Sequence, residues 1–177
     1  MIIKSDVIEK DALLEVAKLM AAAARTAPKA KGIDTILTLI VDGEEKDMIA
    51  DEMRKIGEGG EHLASFTRDA GNVDASDYVL FIAVVDKPVG LTVCGTCGFD
   101  SCAAARAAGV PCTFNISDLG TAAGSACAVA SHHWVDNRLM YTAGRAALNL
   151  DLFGRKVRQC YGIPVSAKGK SIYYDRK

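Results

Sequence analysis

Aromatic residues make up only 6% of this 177-residue chain, with one tryptophan and four prolines. A core with so little bulk must be closed by small residues. That brings helices close together or leaves room for a cofactor or a second subunit. Neither sign of charge predominates, since 21 Lys and Arg stand against 22 Asp and Glu. Nothing therefore marks a nucleic-acid-binding surface. The longest apolar run, Val79 to Val85, is far short of a bilayer span. Lys4, Asp6, Glu9, Lys10 and Asp11 interrupt the start of the chain, so it carries no apolar signal core. A cytoplasmic protein is expected, and in that compartment cysteines serve as ligands or free thiols rather than disulfides. Internal repeats, a Walker-type loop, an H-E-x-x-H helix and a dinucleotide glycine fingerprint are all missing. With 50% apolar and 24% charged residues, 1–177 is expected to form a single domain with an ordinary core.

Cysteine is concentrated in one place. Cys94, Cys97, Cys102 and Cys112, four of the six, follow the spacing C-x2-C-x4-C-x9-C. Thiols this dense hold a metal, ligate an iron–sulfur cluster or cycle through disulfides. A cubane cluster takes four thiolates, often three from one tight loop. Gly95 and Gly98 each follow a cysteine, and their freedom at positive φ lets the loop curl around an inorganic core. A helix predicted over Ser101 to Ala108 puts Cys102 at its N-terminal end, where the dipole favours negative charge. Three alternatives stand beside the cluster. Structural zinc also takes four thiolates, but usually as two short-spaced pairs, which Cys102 and Cys112 do not make. A redox pair would use Cys94 and Cys97 alone, with Gly98 and Cys102 against it. The last alternative is a set of inert, packed thiols.

Along the chain, Asp6 and Glu9 form a capping-box-like pair before a helix that carries Leu13, Val16, Ala17, Met20, Ala21 and Ala24. Ala27-Pro28 stops it. Arg25, Lys29 and Lys31 gather at its end, either as solvated charge or as contacts for an anion or cofactor phosphate. Asp34 to Val41 is β-branched and predicts a strand. Asp42 and Glu45 repeat the capping pattern before a helix to about Ile56, and another helix covers about Glu61 to Ala70. Tyr78 to Val85 predicts a central strand covered on both faces, which hands the chain to the cysteine loop. Ser117 is the expected cap of a helix from Asp118 to about Trp134. Its stripe of Gly120, Ala123, Gly124, Cys127, Ala128 and Ser131 is uniformly small, so a helix, a flat flavin ring or a dimer partner could approach closely. His62, His132 and His133 are read as structural or solvated. Arg138 to Thr142 reads as a short strand or the lead-in to a helix around Gly144 to Leu150. Lys156 to Gly162 is the expected last strand, ended by Pro164, with Cys160 a packed thiol. The tail from Ser166 is a solvated end or an arm wrapped over a neighbour.

The run Cys94-Gly-Thr-Cys97-Gly-Phe-Asp-Ser-Cys102 resembles the C-G-x-C-G-x-x-x-C motif of [4Fe–4S] domains in corrinoid iron–sulfur proteins and Rnf-type electron-transfer subunits. In those domains the fourth cysteine stands further downstream than Cys112, so Cys127 is an alternative fourth ligand. Nearly the whole chain is similar to a prokaryotic family of uncharacterised proteins containing a ferredoxin domain. The matching pieces are Ala23 to Gly32, the cysteine loop, Asp118 to Ala126, Asp136 to Met140, and Gly162 to Lys170 with Asp175-Arg176. That family is in turn similar to FMN-dependent nitroreductases, through Ala-Ala-Arg25-Thr-Ala-Pro28, the small-residue helix and Gly162-Ile-Pro164.

The resemblance implies an α+β, three-layer α/β/α nitroreductase-like fold with a cysteine-rich segment, 92–114, inserted after a central strand. It implies a homodimer with FMN at the subunit interface, for which Arg25, Lys29, Gly120 and Gly124 are the candidate contacts. The expectation is an electron-transfer protein binding one [4Fe–4S] cluster through Cys94, Cys97, Cys102 and Cys112, with its electron donor and acceptor unnamed. A non-enzymatic protein with a structural four-cysteine zinc site is the alternative. A flavin reductase with incidental cysteines is the third.

Overall fold

The computed structural model describes residues 1–154 and 157–174. Lys156, the expected start of the last strand, and Asp175-Arg176 of the tail lie outside the described residues. Among the described residues four strands form one antiparallel sheet in the order β1-β2-β4-β3. They are β1 (Ile36–Val41), β2 (Tyr78–Val85), β3 (Asp136–Asn137) and β4 (Val157–Ser166).

The apolar run of β2 explains the layering. Successive strand residues point to opposite faces. Tyr78, Leu80, Ile82 and Val84 enter one core, and Val79, Phe81 and Ala83 enter the other. The first core is closed by α1 (Ser5–Thr26) and α5 (Thr113–His132). The second is closed by α2 (Gly43–Gly57), α3 (Ala64–Asp74) and α6 (Tyr141–Asn149). This is the three-layer arrangement expected. A short helix, α4 (Cys102–Ala107), belongs to the segment after β2.

Small residues set the spacing. Leu119, Ala122, Ala123, Ala126 and Ala130 of α5 face Leu13, Val16, Met20 and Ala24 of α1. On the other face α6 nearly touches β4, since a Cβ on Gly144 would stand 1.9 Å from the Cys160 carbonyl oxygen. Thr142 donates to the buried Asp69 at 2.8 Å and ties α6 to α3. Lys46 is 8% exposed and caps α3, donating to Val73 O at 3.3 Å and Asp74 O at 3.2 Å. Among the described residues no helix is long and apolar enough to cross a membrane.

Several boundaries differ from the sequence expectation. The first helix begins at Ser5, with Lys4 as its N-cap and no side-chain cap bond, so Asp6 lies in the first turn. Asp42 does hold the N-cap of α2, yet its side chain makes no cap bond. The long helix starts at Thr113 with Cys112 as N-cap. Ser117 lies inside it, its carbonyl accepting from the Thr121 hydroxyl at 3.0 Å. The last strand runs through Pro164 to Ser166. Gly162 exchanges both backbone hydrogen bonds with Met140, so by alternation the nitrogen of Pro164 faces the same side. There it falls between that bridge and the Asn137–Val165 pair, where no N–H is needed. The tail folds back on its own chain. Tyr173 is buried, and its hydroxyl lies 2.8 Å from Ser76 Oγ.

Candidate functional site

The cysteine segment leaves the sheet at the end of β2 and returns at the start of α5. Gly95 and Gly98 both adopt left-handed backbone, with φ of 84° and 83°. The Gly98 N–H donates to the Gly95 carbonyl at 2.8 Å and closes a tight turn between Cys94 and Cys97. Space is open where a Cβ would stand at either glycine, so backbone conformation rather than crowding demands glycine here. Ser101 is the N-cap of α4, its Oγ accepting from the Ala104 N–H at 3.1 Å. That fixes Cys102 as the first residue of the helix.

Cys94, Cys97 and Cys102 line one small cavity with Leu91, Thr92, Gly95, Phe99, Asp100 and Ser101. Cys112 does not line it and stands at the N-cap of α5. Among the described residues no three His, Cys, Asp or Glu side chains are gathered closely enough to hold a metal ion. The thiols are thus ranged around a turn, two before α4, one at its first position and one beyond it. Cys94 is exposed, and hydrogen bonds from the Thr96 hydroxyl and backbone hold its thiol below the usual range. Cys127 is partly buried against the α1–α5 core, and burial pushes its thiol up. Cys160 is buried in the sheet, as expected of a packed thiol, and is pushed up further. His62, His132 and His133 are exposed and join no ligand set.

The candidate flavin contacts are placed differently. Lys29 is not presented to solvent. Its side chain is 5% exposed. Its ammonium donates to Arg25 O at 2.6 Å, Ala27 O at 2.8 Å and Ala24 O at 3.4 Å, capping the end of α1. Asp34 stands 3.9 Å away. Arg25 donates through Nη1 to Asp34 Oδ2 at 2.5 Å and to Ile36 O at 2.6 Å, yet its side chain stays 46% exposed. Burial works against ionisation of Asp34, but the Arg25 hydrogen bond, the Ile36 N–H and the charges of Arg25 and Lys29 outweigh it and hold its carboxyl below the usual range. Gly120 and Gly124 lie on the exposed face of α5 with nothing beyond them. Asp118 links the two regions, accepting from the Ala30 N–H through both oxygens at 3.0 and 3.2 Å. The residues therefore fit a flavin phosphate poorly. Lys29 is committed to its own helix, and of the four candidate contacts Arg25 alone keeps an accessible cationic face, with Lys31 exposed nearby in the chain.

Two residues with a bearing on the segment escaped the sequence. Asn115 is buried and accepts from the Lys87 N–H at 3.2 Å. Arg158 reaches Asp86 and Gly109. Both contacts join residues remote in sequence, and no local pattern signals them.

Residues 108–176 match a family described as uncharacterized protein containing a ferredoxin domain, a stretch that includes Cys112 and starts after the other three ligand candidates. A protein of Archaeoglobus fulgidus, described as uncharacterized, is 44% identical over 169 residues, covering 90% of this chain and 89% of its own. Among solved structures, a nitroreductase with bound FMN from Desulfitobacterium hafniense aligns over 88% of this chain and 78% of its own, with TM-score 0.61 and 13% identity. A nitroreductase family protein from Clostridium novyi aligns over 99% and 79%, with TM-score 0.60 and 14% identity. Nitroreductase A from Vibrio parahaemolyticus aligns with TM-score 0.57 and 10% identity, over 89% of this chain. The chain spans 60% of the length of that enzyme and 58% of NfrA2 from B. megaterium. Identities this low speak for the fold alone. With the family match over residues 108–176 and the identity to the Archaeoglobus protein across nearly all of both chains, this chain belongs to the family of uncharacterized proteins containing a ferredoxin domain, on a nitroreductase-like fold.

Proposed function

We propose that the protein is an electron-transfer protein carrying one [4Fe–4S] cluster on Cys94, Cys97, Cys102 and Cys112. The observation that carries this reading is the single cavity shared by three cysteines on a loop turned by Gly95 and Gly98, with the fourth at the start of the next helix. Four thiolates are the donor set a cubane cluster takes, and such a cluster supplies one-electron transfer. The segment lies outside both cores, so the thiols can draw together without repacking them. Cys94 and its neighbours are at the surface, where a partner redox protein can approach. Among the four candidate contacts, the fold family's link to FMN enzymes extends to this chain only through Arg25, given the engagement of Lys29. A homodimer belongs to the same proposal. Ile2, Ile3, Val7 and Ile8 leave an exposed apolar strip at the start of α1 that a second copy would cover.

Anaerobic purification with a visible spectrum and iron, sulfide, zinc and flavin analysis tests this. A broad visible shoulder with about four iron per chain is expected, as a four-thiolate cubane requires. Cys97→Ser should abolish the absorbance and leave the far-ultraviolet circular dichroism intact. A colourless protein with one zinc per chain would replace the reading with a structural metal site. Full absorbance in the serine variant would remove Cys97 from the ligand set.

A further inference from the structure

We propose that Arg158 is the clasp that joins the two stems of the cysteine segment and so positions its thiols. The pairing of β2 with β4 carries an irregularity at this point. Val84 lies opposite Gln159 and Val85 opposite Val157, so Arg158 is the extra residue of a bulge. A bulged residue is released from the alternation of its strand, and its side chain can be aimed sideways. Here the guanidinium reaches two places at once. Nε lies 3.2 Å from Asp86 Oδ2, and Nη1 donates to Gly109 O at 3.1 Å.

Those two partners bracket the part of the segment that holds three of the four cysteines. Asp86 is the first residue after β2, and Gly109 ends the turn after α4. Between them lie Cys94, Cys97 and Cys102. The C-terminal turn of α4 prepares its half of the contact. Gly109 takes φ of 72°, its N–H bonds Arg106 O at 3.0 Å and the Val110 N–H bonds Ala105 O at 2.9 Å. This double bond pattern closes the helix and leaves the Gly109 carbonyl for an outside donor. A cation there also faces the negative end of the helix. The Lys87–Asn115 bond fixes the outgoing stem to the first turn of α5, three residues after Cys112. The tip of the segment, by contrast, holds itself by local bonds, Gly98 to Gly95 and Ala104 to Ser101. The planar guanidinium holds its two bonds, to a carboxylate and to a carbonyl, in fixed relative directions that lysine's single rotating ammonium does not reproduce, so lysine is not an equivalent.

The consequence for a cluster rests on the proposed function, but the clasp itself can be read in metal-free protein. Hydrogen exchange of the full-length apoprotein is compared for wild type, Arg158→Met, Arg158→Lys and Asp86→Asn. Arg158→Met should speed exchange of the amides in 87–110 about tenfold, the effect of losing charge-assisted hydrogen bonds, with β1 and the middle of β2 unchanged. Arg158→Lys should fall between. Asp86→Asn should speed the same amides, and the double variant with Arg158→Met should add little beyond the worse single change. Unchanged exchange across 87–110 in Arg158→Met overturns the clasp. So does a rise spread evenly through β1 and β2, which would make Arg158 a general stabiliser, or full additivity of the two variants. In parallel, loss of iron to a chelator from reconstituted protein should be faster in Arg158→Met. A wild type that takes up no iron would refute the cluster while leaving the exchange result to judge the clasp.

Discussion

At the residue scale, two glycines of the chain make opposite demands. A methyl at Gly144 would meet the Cys160 carbonyl at 1.9 Å, with backbone on both sides of the contact. Gly144→Ala should therefore cost about 3 kcal/mol or more, the upper range of overpacking, read as a fall in the urea midpoint. At Gly124 the same methyl meets nothing. Gly124→Ala should raise stability by about 1 kcal/mol through helix propensity alone. A loss instead would reveal that a ligand or second subunit lies against that face. Asp34 gives a pH dependence whose sign follows from its lowered carboxyl. A lowered folded pKa contributes stability that is full above the unfolded value, about 3.9, and is lost as pH falls through the folded one. The stability gap between wild type and Asp34→Asn should thus narrow from pH 7 to pH 3 in denaturant titrations. The effect is modest, because the carboxylate is 40% exposed. The cysteines and their glycines were legible because ligand spacing and positive-φ demand are local. The fate of Lys29 was not, because a lysine near a helix end reads the same whether it caps that helix or greets a phosphate.

At the element scale, β2 was legible residue for residue, since an eight-residue apolar run rich in β-branched and aromatic side chains suits a strand covered on both sides. Phe81, wholly buried at its centre, should cost about 3–5 kcal/mol on truncation to alanine by calorimetry or denaturant. The start of α5 was misplaced because Ser117 looks like a cap while Asn115 and Ile116 before it already face inward. Asn115 is turned to the Lys87 N–H, a tertiary contact that no local pattern announces. Pro164 misled in the same way. Its missing N–H mattered only relative to where β3 stops. The tail read as a solvated end or an arm over a neighbour, and Tyr173 instead packs against its own chain beside Ser76. Tyr173→Phe should cost about 1 kcal/mol, the value of one hydrogen bond, with Tyr173→Ala far worse because the ring fills part of the core.

At the scale of the whole molecule, the two cores flank the sheet, and neither includes a residue between Val84 and Ile116. The cysteine segment is attached to a body that closes without it. Removing metal with a chelator should leave the main thermal transition of this body within a few degrees of its starting point, while exchange within 87–110 rises. A zinc staple of the kind that folds small domains would instead take the whole transition with it. The three-layer arrangement was implied by the resemblance to nitroreductases, whereas the position of β4 between β2 and β3 was not read at all, since strand order depends on pairings across the chain. That order has a consequence for how the protein is made. Tyr78 pairs with Val165, so the two central strands meet only after nearly all the intervening chain has left the ribosome. Until then the most apolar strand has only β1 beside it and one open edge, the kind of surface that chaperones hold and that aggregates capture. The thiols emerge within that interval. The cysteine segment is therefore complete before the strand that bears Arg158 has reached the sheet.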